Sequence, residues 1–451
     1  MFNTERILEA ERIKEDFDKL MDKLIKNLKR EEKILLLSDK RQRKEYDELQ
    51  EKLKEVQKLQ KAQQELIDSF IKLIAESIDA KSEYMGSHCE RVPQLTMMLA
   101  KEVSKSKDVD FEIKNEDEER EIAAAAWLHD CGKIITPEFV MDKAVKLETV
   151  YNRIHEIRTR FEVIRRDLII DAKDRIINGE DKEKVDKWLN EELQKLHEDF
   201  EFIAELNIGD EDLDEEKIER LKEISQRTWY RYFDDTIGIS KDEKKRISKE
   251  ELNQELPVKE SLLADKQRHI IKRSKKEIEE FKKYGFKIEI PENLYNLGEI
   301  YNLSIKKGTL TKEEYFKIQE HVIMTIKMLE SLPFPEKLKN VPLYAGAHHE
   351  ALDGTGYPRR LKGDEIPIPA RIMAIADIFE ALTAKDRPYK RQKKLSETIE
   401  ILVSMALAGK LDKDILRVFL ESGLYKKYGE MYLLKENFDE VDIDSYIKKL
   451  K

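Results

Sequence analysis

Apolar positions recur at alternating steps of three and four through the first part of this chain. From Tyr46 they run Leu49, Leu53, Val56, Gln60, Gln63, Ile67, Phe70 and Ile74, a heptad seam with two adjacent polar layers. Upstream, Ile13, Phe17, Leu20 and Leu24 repeat the pattern, with Ser38–Asp39 as the expected break. No glycine or proline precedes Gly86, so the pattern predicts a nearly uninterrupted helix. Such a seam is expected to pair with a second copy as a parallel coiled coil through residues 40–78; a helix lying on its own globular domain is the plainer alternative. Gln60 and Gln63 would set the register at some cost in stability.

Beyond residue 80 the pattern changes. Ala123 to Leu128 is a compact apolar run that ends at His129-Asp130-Cys131-Gly132-Lys133, which reads as a buried helix stopped by Gly132 in the left-handed conformation. Residues 140–300 are strongly charged and read as amphipathic helices, with a short strand or extended segment at Phe286 to Pro291. Thr311-Lys312-Glu313-Glu314 is a capping box for a helix running to about Ser331, and that helix carries His321. Leu343 to His349 ends another helix at His348-His349, followed by a loop, Glu350 to Pro358, whose Gly354 and Gly356 permit close backbone approach. Ala370 to Phe379 is an apolar run apart from Arg371 and one carboxylate, Asp377. A lone carboxylate there costs several kcal/mol to bury, so it must meet a cation or hydrogen-bond donors.

Composition agrees with helices. Of 451 residues 40% are charged, while glycine (15) and proline (11) are too scarce for a fold built on many tight turns. No stretch of about 20 apolar residues offers a membrane span. Net charge is −10, from 85 basic and 95 acidic residues spread along the chain, so duplex nucleic acid is a poor partner, although one local basic pocket could still take a small anion. Two cysteines, Cys89 and Cys131, exclude a disulfide framework. With no signal-like pattern in Met1-Phe2-Asn3-Thr4-Glu5-Arg6, the expected location is the cytoplasm.

The candidate chemistry is metal binding. Five of the eight histidines, His88, His129, His321, His348 and His349, fall in apolar or glycine-bearing segments, together with Asp130 and Asp377. Imidazole and carboxylate suit divalent iron, manganese, zinc or nickel, and an aspartate can bridge two ions. His155, His197 and His269 stand alone among charges and read as surface or structural.

These motifs resemble those of the HD-GYP phosphodiesterases. His129-Asp130-Cys131-Gly132-Lys133 matches the HD-x-G-K signature, and His348-His349-Glu350 with Asp353-Gly354-Thr355-Gly356-Tyr357-Pro358 matches HH-E-x-x-D-G-x-G-Y-P. The resemblance covers about 80–140 and 300–425 and implies an all-α HD-type helical bundle. It implies hydrolysis of cyclic di-GMP to the linear dinucleotide or GMP by a hydroxide bridging two divalent transition-metal ions, iron, manganese or nickel. One ion would be held by His129, Asp130 and Asp377, the other by His321, His348 and His349, with Asp130 bridging and His88 close by. Lys133 and Arg387 would clamp phosphate, and Gly354, Gly356, Tyr357 and Pro358 would line the substrate loop. The implied layout is a coiled-coil segment (1–80), the first catalytic part (81–140), a charged helical insertion (141–300), the second catalytic part (301–430) and a tail (431–451).

Three departures bear on the transfer. Members with a third metal carry a Glu where this chain has Tyr84, with Glu83 one step away, so two metals are expected. Asp377 and Arg387 are one residue further apart than in the common form, and 192 residues separate His129 from His321, which is why 141–300 reads as an insertion, either a lid over the site or a support for the bundle. Two other readings are an HD hydrolase of a different nucleotide, such as an alarmone, and a non-catalytic scaffold that senses a cyclic nucleotide. Cys131-Gly132-Lys133-Ile134 lacks the Glu-Asp pair of the former, and the complete ligand set argues against the latter.

Overall fold

A computed structural model describes residues 2–81, 88–210, 212–384 and 392–451; Tyr84, Glu83 and Arg387 lie outside the described residues. The chain divides into two units, 1–70 and 71–451. Helix α1 (Phe2–Asp79) makes up the first unit and enters the second, and it passes Ser38–Asp39 without the expected break. Nothing local there favours an end: neither glycine nor proline is present, and i,i+4 pairs such as Asp39–Arg43 support the turn. Leu49, Leu53, Val56 and Phe70 are all exposed on it.

In the second unit, α2 (His88–Lys105) and α3 (Glu116–Leu128) lead to a 3-10 turn, Cys131–Ile135, and α4 (Glu138–Met141). The charged region contains α5 (Ile154–Ile177), α6 (Lys182–Ile208), α7 (Glu215–Ser225), β1 (Thr228–Arg231), α8 (Lys241–Arg246), α9 (Lys249–Leu252), β2 (Val258–Ser261), β3 (Ile270–Lys272), α10 (Lys275–Lys283), β4 (Asn293–Asn296) and α11 (Glu299–Leu303). There follow α12 (Lys312–Glu330), α13 (Val341–Gly346), α14 (Ile368–Thr383), α15 (Leu395–Leu407), α16 (Lys413–Glu421), α17 (Leu424–Tyr432) and α18 (Ile443–Leu450). The fold is all-α: helices account for 68% of it, and among the described residues the strands form two antiparallel pairs, β1–β2 and β3–β4. Residues 286–290 are not a strand; β4 begins at Asn293.

Separate apolar clusters hold the second unit. In the bundle, Leu95 and Leu99 of α2, Ile375 and Phe379 of α14, Leu402 of α15 and Phe419 of α16 are fully buried, each contributing about 2 kcal/mol by burial. Leu450 of α18 closes the same cluster. The charged region has its own core, with Ile157 and Phe161 of α5 on Ile203 of α6 and Leu221 of α7. A third cluster joins Phe281 and Phe286 to Phe316, Val322, Ile323 and Ile326 of α12. Through it the charged region packs on the helix that carries His321.

Candidate active site

Three histidines share one local device. His129 lies just past α3, whose start is fixed by Asn115 accepting from the Glu118 N–H at 3.0 Å and by four acidic residues in its first turn. Its Nδ1 faces the Ala126 carbonyl at 2.7 Å. His321 Nδ1 faces the Ile318 carbonyl at 2.5 Å on α12, a helix opened by the expected box of Thr311 and Glu314. His348 Nδ1 faces the Ala345 carbonyl at 2.6 Å. A carbonyl only accepts, so Nδ1 carries a proton in all three, and Nε2 is the nitrogen left to offer a lone pair to a metal. All three Nε2 atoms are buried and have no hydrogen-bond partner.

Those lone pairs converge on carboxylate oxygens. Asp130 places Oδ2 3.3 Å from His129 Nε2 and Oδ1 3.2 Å from His321 Nε2. Asp377 Oδ1 is 3.9 Å from His129 Nε2, as an aspartate buried in an apolar helix requires. Imidazole nitrogens and carboxylate oxygens gathered in a buried space call for a proton or a metal ion between them, and the donor set suits a divalent transition metal. Two groups of potential ligands, His321/His348/His349 and His88/His129/Asp130, each have their ligand atoms within 4.8 Å of one another. Burial first, then neighbouring histidines, pushes His348 down to about 3 and His349 well below its ordinary value, so both are neutral and ready to coordinate.

His88 stands closer to the cluster than the sequence motif alone required. Its Nε2 is 3.2 Å from Asp130 Oδ2 and 3.4 Å from Asp377 Oδ1, and its Nδ1 contacts Glu380. Glu380, fully buried on α14, also takes the Arg91 Nε–H at 2.7 Å. Burial alone would lower the His88 pKa and raise that of Glu380. The opposite charges outweigh it, holding His88 up at about 10 and Glu380 down at about 2. Sequence reasoning missed Glu380 and Arg91. Their signal was spacing: Asp377/Glu380 and His88/Arg91 are each three apart on helices that pack together.

Gly132 is not the left-handed terminator expected from sequence. It lies within the 3-10 turn with no positive φ, and its role is close packing: a Cβ there would fall 1.9 Å from the His321 carbonyl oxygen. Its N–H donates to Thr325 Oγ1 at 2.9 Å, and Thr325 donates to the His129 carbonyl at 3.1 Å, locking the turn to α12. From this turn Lys133 reaches Asp130 Oδ2 at 2.5 Å. Burial lowers the Lys133 pKa, but Asp130 and Asp377 outweigh it and raise the ammonium above its usual range.

The Gly354–Pro358 loop is set by its neighbours. A Cβ on Gly356 would lie 2.2 Å from the Ala351 nitrogen, and Gly354 has φ +79°. Glu350 is buried and accepts from the Arg359 and Leu361 N–H groups at 2.7 and 2.9 Å, so it shapes the loop. The Tyr357 ring stacks on His349 at 4.9 Å. Pro358 accepts from the Lys287 N–H at 2.8 Å, and Ile288 and Ile290 pack with Tyr357 against α12. Of the remaining histidines, His155 and His197 lie on exposed helix surfaces beside Arg158 and Glu201, and burial lowers His269 to about 4.

Comparison with known proteins meets the same residues. A family model described as HD domain matches residues 85–226, and another with that description matches 257–415. The chain belongs to the HD domain family, HD-GYP type. This HD-GYP chain is 35% identical over 150 residues to 3'3'-cGAMP-specific phosphodiesterase 1 of Vibrio cholerae, covering 31% of this chain and 34% of that one. It is 34% identical over 156 residues to a cyclic di-GMP phosphodiesterase of Thermotoga maritima, covering 34% and 41%. Over 106 residues it is 37% identical to the cyclic di-GMP phosphodiesterase response regulator RpfG of Xanthomonas campestris, covering 23% and 28%. The match thus spans between 28% and 41% of the length of these three relatives.

Proposed function

We propose that this HD-GYP chain is a metal-dependent phosphodiesterase that hydrolyses a cyclic dinucleotide, cyclic di-GMP first. The observation that carries this reading is the ring of unpartnered imidazole nitrogens and carboxylates beside Lys133 and the Gly354–Pro358 loop. Relatives named for 3'3'-cGAMP and for cyclic di-GMP support the substrate class, and they make 3'3'-cGAMP the second candidate.

Two divalent ions fit the donor set. His321, His348 and His349 would hold one, and His129 and Asp377, with His88 alongside, the other; Asp130 sends one oxygen toward each group. When bound, such ions supply charge stabilisation on a phosphoryl group and activate water at neutral pH. Lys133 offers its ammonium to a phosphate oxygen within the site. Tyr357, held flat on His349, presents an aromatic face to a base, and Gly354 and Gly356, packed closely on Lys362 and Ala351, fix the loop that carries it. Arg387 would be a second phosphate clamp.

The helix α1 supports a parallel homodimer, a second copy covering Leu49, Leu53, Val56 and Phe70. Among the described residues no helix is long and apolar enough to cross a membrane, and both cysteines are free thiols; these fit the cytoplasm, where a cyclic dinucleotide signal is read. The test is metal analysis of anaerobically purified protein together with assays on cyclic di-GMP and 3'3'-cGAMP. Linear dinucleotide or mononucleotide product from metal-loaded protein supports the reading; a fully metallated chain inert on both sinks it.

A further inference from the structure

We propose that Lys81, with Asp79, positions the catalytic Lys133, so that the last turn of α1 forms part of the active site. The proposal rests on the phosphodiesterase reading only in treating Lys133 as a phosphate clamp. The 3-10 turn Cys131–Ile135 is short, and at its exit the Lys133 carbonyl accepts the Thr136 N–H at 3.0 Å. Lys81 reaches across from the end of α1 to add donors there. Its ammonium bonds the carbonyls of Lys133 at 3.3 Å and Thr136 at 2.7 Å, and that of Ile134 as well. An ammonium has three N–H donors, and here all three are used on one turn. That turn carries the Lys133 side chain to Asp130 at 2.5 Å.

The turn is thereby held from two sides. Thr325 of α12 fixes it through the Gly132 N–H at 2.9 Å, and Lys81 fixes its exit. Two residues earlier on α1, Asp79 accepts the Cys89 N–H at 3.3 Å, at the start of α2 beside His88. One turn further back, Ala75 and Ile78 are fully buried, and Lys72 lies over the Trp127 ring at 6.0 Å, two residues before His129. The end of α1 thus grips the three segments that carry His88, His129 and Lys133. Removing the Lys81 donors leaves the exit of the turn unpinned while every metal ligand keeps its own anchor, so the change falls on Lys133.

The experiment is a double-mutant cycle in the full-length, metal-loaded protein: Lys81→Met, Lys133→Ala and both together, with Lys81→Arg as the conservative control. Activity is followed on bis(p-nitrophenyl) phosphate, a generic diester, and on cyclic di-GMP, with metal content measured in each preparation. Lys81→Met should lower kcat about tenfold with metal content unchanged. Lys81→Arg should restore most of it, and in the Lys133→Ala background Lys81→Met should add nothing. A kcat within about twofold of wild type, a loss that multiplies in full with Lys133→Ala, or a loss that follows departing metal overturns the proposal. Should Lys81→Met fail to fold, Lys81→Gln, one atom shorter and with a single amide donor group, carries the same cycle. Hydrolysis of the generic diester without cyclic di-GMP would refute the substrate reading while leaving this cycle decisive.

Discussion

Asp130 is the residue on which both halves of the proposed metal cluster depend, because each of its oxygens faces a different histidine. Asp130→Ala should abolish hydrolysis and lose both metals, whereas His348→Ala should empty mainly one position; elemental analysis of the two variants separates them. Retention of two metals and normal turnover by Asp130→Ala would refute the assignment. Behind this layer, Glu380→Gln keeps the shape and removes the charge that orients His88. Loss of such an outer partner commonly costs about 10- to 100-fold in metal affinity or activity, and competition with a chelator reads it. A third residue makes stability depend on pH. Burial first, then nearby Lys217, holds the Lys146 ammonium down at about 8 against 10.5, with the Leu303 and Ile305 carbonyls as its partners. Between those values the unfolded chain binds the proton and the folded chain does not, so stability climbs with pH across that window; below about 8 both are protonated and the penalty is complete. The urea midpoint of wild type should therefore rise relative to that of Lys146→Met as pH goes from about 8 to 10.5. A pH-independent difference would contradict the buried-charge account.

At the scale of elements, what the sequence disclosed was local and what it concealed was distant. The α12 start was legible because Thr311 and Glu314 satisfy each other within four residues. The histidines that gather in one buried cluster were legible as a group because each stands in a short apolar or glycine-bearing motif. Gly132 was misread, since the atom that forbids a Cβ belongs to His321 in another helix. Strand β1 escaped notice for the same reason: Thr228 to Arg231 pairs with Val258 to Ser261 across two intervening helices, with no tight turn to announce a hairpin. The contact between residues 286–290 and the Tyr357 loop was equally invisible, and it changes what is expected of the insertion. Ile288→Ala should loosen Tyr357 and raise KM for the dinucleotide more than it lowers kcat, with metals retained. Replacing residues 150–290 with a short Gly/Ser linker should do more, because it removes Phe281 and Phe286 from the face of α12. A lid alone would leave metal content intact; the packing observed here calls for metal to be lost together with turnover. A deletion protein that is folded, fully metallated and fully active would make the insertion dispensable to both.

At the scale of the whole molecule, α1 joins two demands in one element. Residues 1–70 form their own unit with apolar side chains left open along a heptad seam, and in a monomer this is a long row of hydrophobic surface facing water. Residues 71–81 belong instead to the second unit, with Ile71, Ala75 and Ile78 buried in it and Lys81 bound to the Lys133 turn. If a second copy covers the seam, deleting residues 1–70 should give a monomer in light scattering at low micromolar concentration, and metal content should be unchanged because every ligand lies beyond the cut. The deletion should stop at 70: removing residues 71–81 as well takes away three buried apolar side chains and the Lys81 donors, and the shorter protein should be both less stable and less active. A protein lacking residues 1–70 that remains dimeric would move the interface into the catalytic unit or the insertion. Equal stability and activity of the two truncations would mean that the end of α1 is not built into the site.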